Sequence, residues 1–282
     1  MILIYSFFKD KFITILRSHI VHIEKMSKIY FKILICLLLI SCSNSKKTNS
    51  QIAHNTYPVK LDTLTLFDKS RNRKIPIAIF CPKTDSKINN QQIIIFSHGY
   101  GENKGGDNMI YSYLTENLAS KGYFVISLQH ELPTDALLAM EGDFKVTRKP
   151  NWERGTDNIL YVLNEFKTLK PELDFKHLTL IGHSNGGDMT ALFASKYPKL
   201  VYKIITMDNR RMPLPRVNHP IVYTLRSKNH SADEGVLPTE QEQQKYGMTV
   251  QFTPINHSDM DNDATIEERK IINTCIEKYL NE

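Results

Sequence analysis

Cysteine is scarce in this sequence, with four in 282 residues and no C-x-x-C pair, which excludes a disulfide-dense scaffold and a cysteine zinc site. No repeat of 20 to 50 residues is visible, so the chain is not a solenoid or propeller. The apolar run from Ile33 to Ile40 falls far short of the ~20 residues that a spanning helix needs. A concentrated basic surface is also missing. The formal charge is +6, but residues 1–41 hold six basic and two acidic side chains, and the remainder carries only +2. No later segment interleaves Lys and Arg with aromatics, so a nucleic-acid partner is set aside. What is present, 41% hydrophobic and 23% charged residues, is the mixture of a folding chain, long enough for one large domain or two small ones.

From Met26 the chain reads as a short basic segment, then Ile33–Ile40, then Ser41-Cys42. That is the order of a signal peptide. Leu39-Ile40-Ser41-Cys42 resembles the bacterial lipobox, in which the cysteine becomes diacylglyceryl-modified. The expectation is a leader over 26–41, a lipid attachment at Cys42 and a location in the bacterial cell envelope, at the outer membrane or facing the periplasm. Residues 1–25 read as an extension ahead of the functional start, and 42–57 as a polar tether with little to bury. Cys81 and Cys275 are then the other mature cysteines, and their pairing is left open.

The mature chain alternates. Leu61–Phe67 and Ile75–Phe80 flank Asp68–Asn72 and predict an antiparallel hairpin. Ile93–Phe96, Tyr123–Ile126, Leu178–Ile181, Lys203–Met207 and Ile221–Leu225 are near-continuous apolar strands, as expected when a parallel sheet is buried on both faces. A further short strand is read at Met248–Phe252. Helix-period segments run over 109–121, 152–169, 186–197 and 265–280, which predicts an α/β domain over 58–282, mostly parallel, with helices on both faces. Residues 130–150 have no clear period and read as a lid or substrate-binding loop, or as a surface insertion without consequence.

Gly182-His183-Ser184-Asn185-Gly186 follows a buried strand and opens a helix. In that setting a strained strand-to-helix turn pushes the serine hydroxyl out of the sheet. A serine hydroxyl is a weak nucleophile and needs a histidine base, a carboxylate to orient that base, and donors for an oxyanion. His257, behind the last strand, is the candidate base. For the acid, Asp233 in the loop after Ile221–Leu225 is favoured over Asp208 at the end of the preceding strand, with Glu234 third, because Asp208 could instead pair with Arg210 or Arg211. Backbone N–H groups of Tyr100 and Asn185 are the candidate oxyanion donors, with Gly99 the competitor to Tyr100, and His98 is read as a brace for that loop. Asp259, Asp261 and Asp263 mimic the start of a calcium loop, but Ala264 and Lys270 stand where Gly and Glu are required.

On Ser97-His98-Gly99-Tyr100-Gly101, Gly182–Gly187 and His257, the chain over about 58–282 resembles the α/β-hydrolases of the esterase, lipase and dienelactone-hydrolase type. Its first motif is similar to those of the platelet-activating-factor acetylhydrolase and chlorophyllase branches. The resemblance implies a Ser-His-Asp hydrolase without cofactor or metal, acting on small-molecule carboxylic esters. One departure is Asn229, where many relatives carry the acid. A serine peptidase of the same fold, and a catalytically silent envelope lipoprotein that binds without reacting, are the alternatives.

Overall fold

The computed structural model describes residues 56–282. The expected leader, the attachment point Cys42 and nearly all of the tether lie outside the described residues.

Eight strands form one sheet in the order β1-β2-β4-β3-β5-β6-β7-β8. β1 (Val59–Asp68) and β2 (Arg73–Pro82) make the predicted antiparallel hairpin. Asp68 closes its turn by accepting the N–H of Ser70 at 2.9 Å, the Asx geometry that such a turn favours. β2 pairs antiparallel with β4 (Phe124–Leu128). From there β3 (Gln92–Ser97), β5 (Asp174–His183), β6 (Lys203–Met207), β7 (Ile221–Arg226) and β8 (Thr249–Phe252) run parallel.

The helices are α1 (Ser112–Ser120), α2 (Phe144–Thr147), α3 (Lys149–Leu169), α4 (Ser184–Lys196), α5 (Glu240–Tyr246) and α6 (Ile266–Asn281). Strand side chains alternate between faces, and the core divides accordingly. Ile93, Ile95 and Leu180 pack with Trp152, Phe166 and Phe193 of α3 and α4. Ile94, Phe96 and Ile181 pack with Leu114, Leu118, Ile272 and Ile276 of α1 and α6. Both faces are covered, which is why these strands read as near-continuous apolar runs. Cys81 and Cys275 are both free.

The stretch 130–150 is irregular up to Gly142, with a turn closed by the Asp135 N–H on the Leu132 carbonyl at 2.9 Å, and then forms α2, whose N-cap Asp143 accepts the N–H of Lys145 at 3.0 Å. α3 starts at Lys149, three residues before the periodic signal, with Pro150 in its first turn, where proline's missing N–H costs nothing. Neither α2 nor α5 carries an apolar stripe, and the sequence reading misses both. Among the described residues no helix is long and apolar enough to cross a membrane.

Candidate active site

The register of the parallel strands carries the site. His183 at the end of β5 lies beside Met207 at the end of β6, so the residues that leave these strands, Ser184 and Asp208, emerge side by side. Both adopt left-handed backbone, with φ of 51° and 56°, a conformation that is strained for side chains other than glycine and tolerated best by Asp and Asn. The flanking glycines of the elbow answer to space. A Cβ on Gly182 would meet the Gly186 carbonyl oxygen at 2.4 Å, and one on Gly186 would meet the Ser97 and His98 oxygens at 2.3 Å. They provide space for close backbone approach, while Ser184 itself carries the strained dihedral.

The Ser184 hydroxyl donates to His257 Nε2 at 2.9 Å, and His257 Nδ1 donates to Asp208 Oδ2 at 2.5 Å. Asp208 is fully buried. Its carboxylate also accepts the Ser227 N–H at 3.0 Å and the Ser227 hydroxyl at 2.6 Å, and Arg226 lies 3.0 Å from Oδ1. Burial alone would raise the pKa of Asp208. The hydrogen bond from His257, the charge of Arg226 and the two bonds from Ser227 outweigh it and bring the group down to about 2. The carboxylate is therefore ionised wherever the imidazole needs it.

Asp233, favoured from sequence, does not reach His257. It pairs with Arg211, and its N–H donates to the Arg210 carbonyl at 2.9 Å. Asp208, for its part, takes neither Arg210 nor Arg211 but Arg226. The cause of the exchange is register. The position after β7 is filled by Ser227, which donates into Asp208, and Asn229 is spent on the His257 N–H at 2.8 Å. Glu234 is exposed in the same loop as Asp233. One signal available in the sequence was the place of Asp208, directly behind a buried strand.

The imidazole of His257 is held between two others. His230 stacks on it at 4.4 Å with 20° between planes, and His183 lies 4.6 Å away on a tilted plane. His183 is buried, and burial followed by the nearby His257 charge pushes its pKa down to about 3. It stays neutral.

Tyr111 joins the elbow to the loop after β3. Its hydroxyl donates to His183 Nδ1 at 2.7 Å and accepts the Gly99 N–H at 3.1 Å. Since the Gly99 N–H is thereby committed, Tyr100 is the next donor that the loop offers. His98 braces this loop as expected, with Nδ1 2.6 Å from the Gly99 carbonyl and Nε2 accepting the His130 N–H at 2.9 Å. The Asn185 N–H lies in the first turn of α4, where helices leave donors unpaired. The Asn185 side chain is locked: Oδ1 accepts the Trp152 indole N–H at 2.9 Å, and Nδ2 donates to Asn151 at 2.9 Å and to Glu131 at 3.1 Å. Trp152, Asn151, Glu131 and Tyr111 escaped the sequence reading, because no local pattern marks residues that meet only in the fold. Among the described residues no group of three or more His, Cys, Asp or Glu could hold a metal ion.

A family model described as the alpha/beta hydrolase fold matches residues 92–228, a span that includes Tyr100, Ser184 and Asp208. The chain has the α/β-hydrolase fold. No curated protein matches it. Among solved structures, the chain is similar to a Xanthomonas campestris a/b serine hydrolase without lid, at 16% identity and TM-score 0.52, over 80% of this chain and 98% of that one. It is also similar to an esterase from the fungus Rhizomucor miehei, at 15% identity and TM-score 0.58 over 81% and 84%. A third likeness is to a dienelactone hydrolase-like promiscuous phosphotriesterase from metagenomic libraries, at 13% identity and TM-score 0.56 over 79% and 98%. At such identities the likeness is one of fold.

Proposed function

We propose that this α/β-hydrolase is a serine hydrolase of carboxylic esters that works through an acyl-enzyme on Ser184. The observation that carries the reading is the unbroken line of hydrogen bonds from the Ser184 hydroxyl through His257 to ionised Asp208. The Ser184 oxygen attacks the ester carbonyl carbon while His257 Nε2 takes its proton. The carbonyl oxygen, now an anion, receives the N–H groups of Tyr100 and Asn185. Collapse breaks the bond to the alcohol oxygen, which leaves with the proton from His257. Water, deprotonated by the same imidazole, then attacks the acyl-serine and releases the carboxylic acid and free Ser184. Throughout, Asp208 holds Nδ1 protonated and offsets the charge of the transient imidazolium.

Labelling by a fluorophosphonate, together with turnover of para-nitrophenyl esters, tests the reading. Both should be lost in Ser184→Ala, with turnover falling by ~10³ or more. Retained labelling or an unchanged rate would reject Ser184 as nucleophile. We further propose that the domain is anchored in the cell envelope through diacylglyceryl-modified Cys42, a reading that rests on the leader at 26–41. The intact mass of membrane-extracted protein should match a lipidated chain beginning at Cys42, and a soluble product that retains Met26 would contradict it.

A further inference from the structure

Three guanidinium groups gather on the Asp208 side of Ser184. Arg210 and Arg211 belong to the loop that leaves β6. Asp188 of α4 fixes that loop, its Oδ1 accepting the N–H groups of Arg210, Arg211 and Met212 at 3.2, 2.9 and 2.9 Å. Arg148 approaches from the connection between β4 and α3. The Phe144 ring serves both sides, with its centre 4.3 Å from the Arg148 guanidinium carbon and 4.5 Å from that of Arg211. Cationic side chains placed so close repel one another, and Arg148 responds: burial lowers its pKa, and Arg211 and Arg210 lower it further.

The compensation is incomplete. Asp233 pairs with Arg211. Arg210 Nε donates to the Ser231 carbonyl at 3.2 Å and Arg148 Nε to the Ala139 carbonyl at 2.8 Å, both neutral partners. Asp188 offsets part of the charge on Arg148 while its Oδ1 is taken by backbone N–H groups, and Glu153 pairs with Lys196. All three arginines are half-buried rather than enclosed, so an incoming anion can reach them. A guanidinium is the side chain whose flat fork matches a carboxylate.

The cluster connects to the reacting atoms in two ways. Ser231, which holds Arg210, follows His230, whose ring stacks on His257. Arg211 lines a cavity of about 290 Å³ together with the apolar Trp152, Leu192, Met212 and Pro213, the cations Lys145 and Lys149, and Glu153. The Trp152 indole N–H is bonded to the side-chain oxygen of Asn185, whose backbone N–H faces the acyl oxygen in the proposed reaction. An apolar lining beside cationic groups matches an acyl chain that ends in an anion.

We infer that the acyl part of the substrate carries a second, anionic group, a carboxylate or an oxyanion of similar size, which Arg148, Arg210 and Arg211 bind while its carbon chain lies against Trp152 and Met212. The inference rests on the ester-hydrolase reading. Its test uses the full chain and three activated esters: mono-para-nitrophenyl succinate, its neutral methyl ester, and a phosphonate-tailed counterpart. Expected is a kcat/KM at least about tenfold higher for an anionic tail than for the methyl ester, with the two anionic tails ranked by which oxyanion fits better. That preference should shrink severalfold as NaCl rises from about 0.05 to about 0.5 M, because the pairing is partly exposed. Arg210→Gln and Arg148→Gln should each cut the preference about tenfold, and Arg210→Lys should keep part of it. Equal rates on charged and neutral tails in the wild type, or a preference untouched by all the arginine variants, would overturn the anionic-tail inference while Ser184-dependent hydrolysis continued. Absence of Ser184-dependent hydrolysis on all three esters would overturn the hydrolase reading, and the inference with it.

Discussion

At the scale of single residues, Asp208 has two duties that can be separated experimentally. It orients His257, and it is the counterion of buried Arg226. Asp208→Asn should lower turnover per folded molecule by ~10⁴, because an amide can favour the wrong imidazole tautomer. It should also cost roughly 3 to 5 kcal/mol of stability, since a buried guanidinium loses its partner. Urea denaturation gives the folded fraction against which the rate is normalised. Asp233→Asn removes only a half-exposed pair with Arg211, worth about 1 kcal/mol or less, and turnover of neutral esters should stay within about threefold of the wild type. An inactive Asp233→Asn beside an active Asp208→Asn would return the acid to the loop after β7. His257→Ala should cost about as much as Ser184→Ala, and the double variant little more, since groups that act as a unit are not additive.

At the scale of elements, the site depends on how closely α4 and the loop after β3 approach each other. Gly186 in the first turn of α4 lies against the carbonyl groups of Ser97 and His98, and an added methyl would stand 2.3 Å from their oxygens. Neither of these backbone atoms can rotate away. Gly186→Ala should therefore destabilise the domain by several kcal/mol or prevent its accumulation, well beyond the 1 to 3 kcal/mol of ordinary overpacking. Gly155→Ala in α3 offers the contrast. There the added carbon meets the Met189 side chain, whose unbranched thioether can move, so roughly 1 to 3 kcal/mol is expected. Thermal or urea unfolding of the two variants separates the cases, and an equal loss in both would mean that the elbow can relax.

For the whole molecule, buried titratable groups decide acid stability. Burial, then the charge of His257, brings His183 to about 3, and burial, then His98 and Arg73, holds His130 far below the ordinary imidazole range. The unfolded chain protonates both at about 6.5. The folded chain does not, so each contributes stability that is lost as pH falls below that value. Asp188 opposes them: burial raises it to about 6, and between there and the ordinary 3.8 the folded state binds the extra proton. In the window from pH ~6 to ~4, two protons favour the unfolded chain and one the folded. These three groups together lose about 1.4 kcal/mol per pH unit. His230, also held low, adds to the loss, and Asp261, held high, opposes it. Asp188→Asn should add about another 1.4 kcal/mol per pH unit to the slope. Urea midpoints at three pH values check the sign. Stability that rose on acidification through this window would contradict the burial of the two histidines.

Apolar runs such as Ile93–Phe96 and Leu178–Ile181 determined the sheet by themselves, because a strand covered on both faces is apolar at nearly every position. The elbow at Gly182–Gly186 marked Ser184 for the same local reason, its glycines and serine being adjacent in the chain. His257 was legible from its place behind the last strand. The partner of His257 was legible only as a choice between Asp208, directly behind a buried strand, and Asp233 in the loop after β7, and register decides between them. Only the pairing of β5 with β6 brings Asp208 out beside Ser184, while Asp233 turns to Arg211. The same holds for Tyr111, Trp152 and the arginine cluster. These residues stand on separate elements, and the geometry that joins them exists only once the two faces of the sheet have been packed.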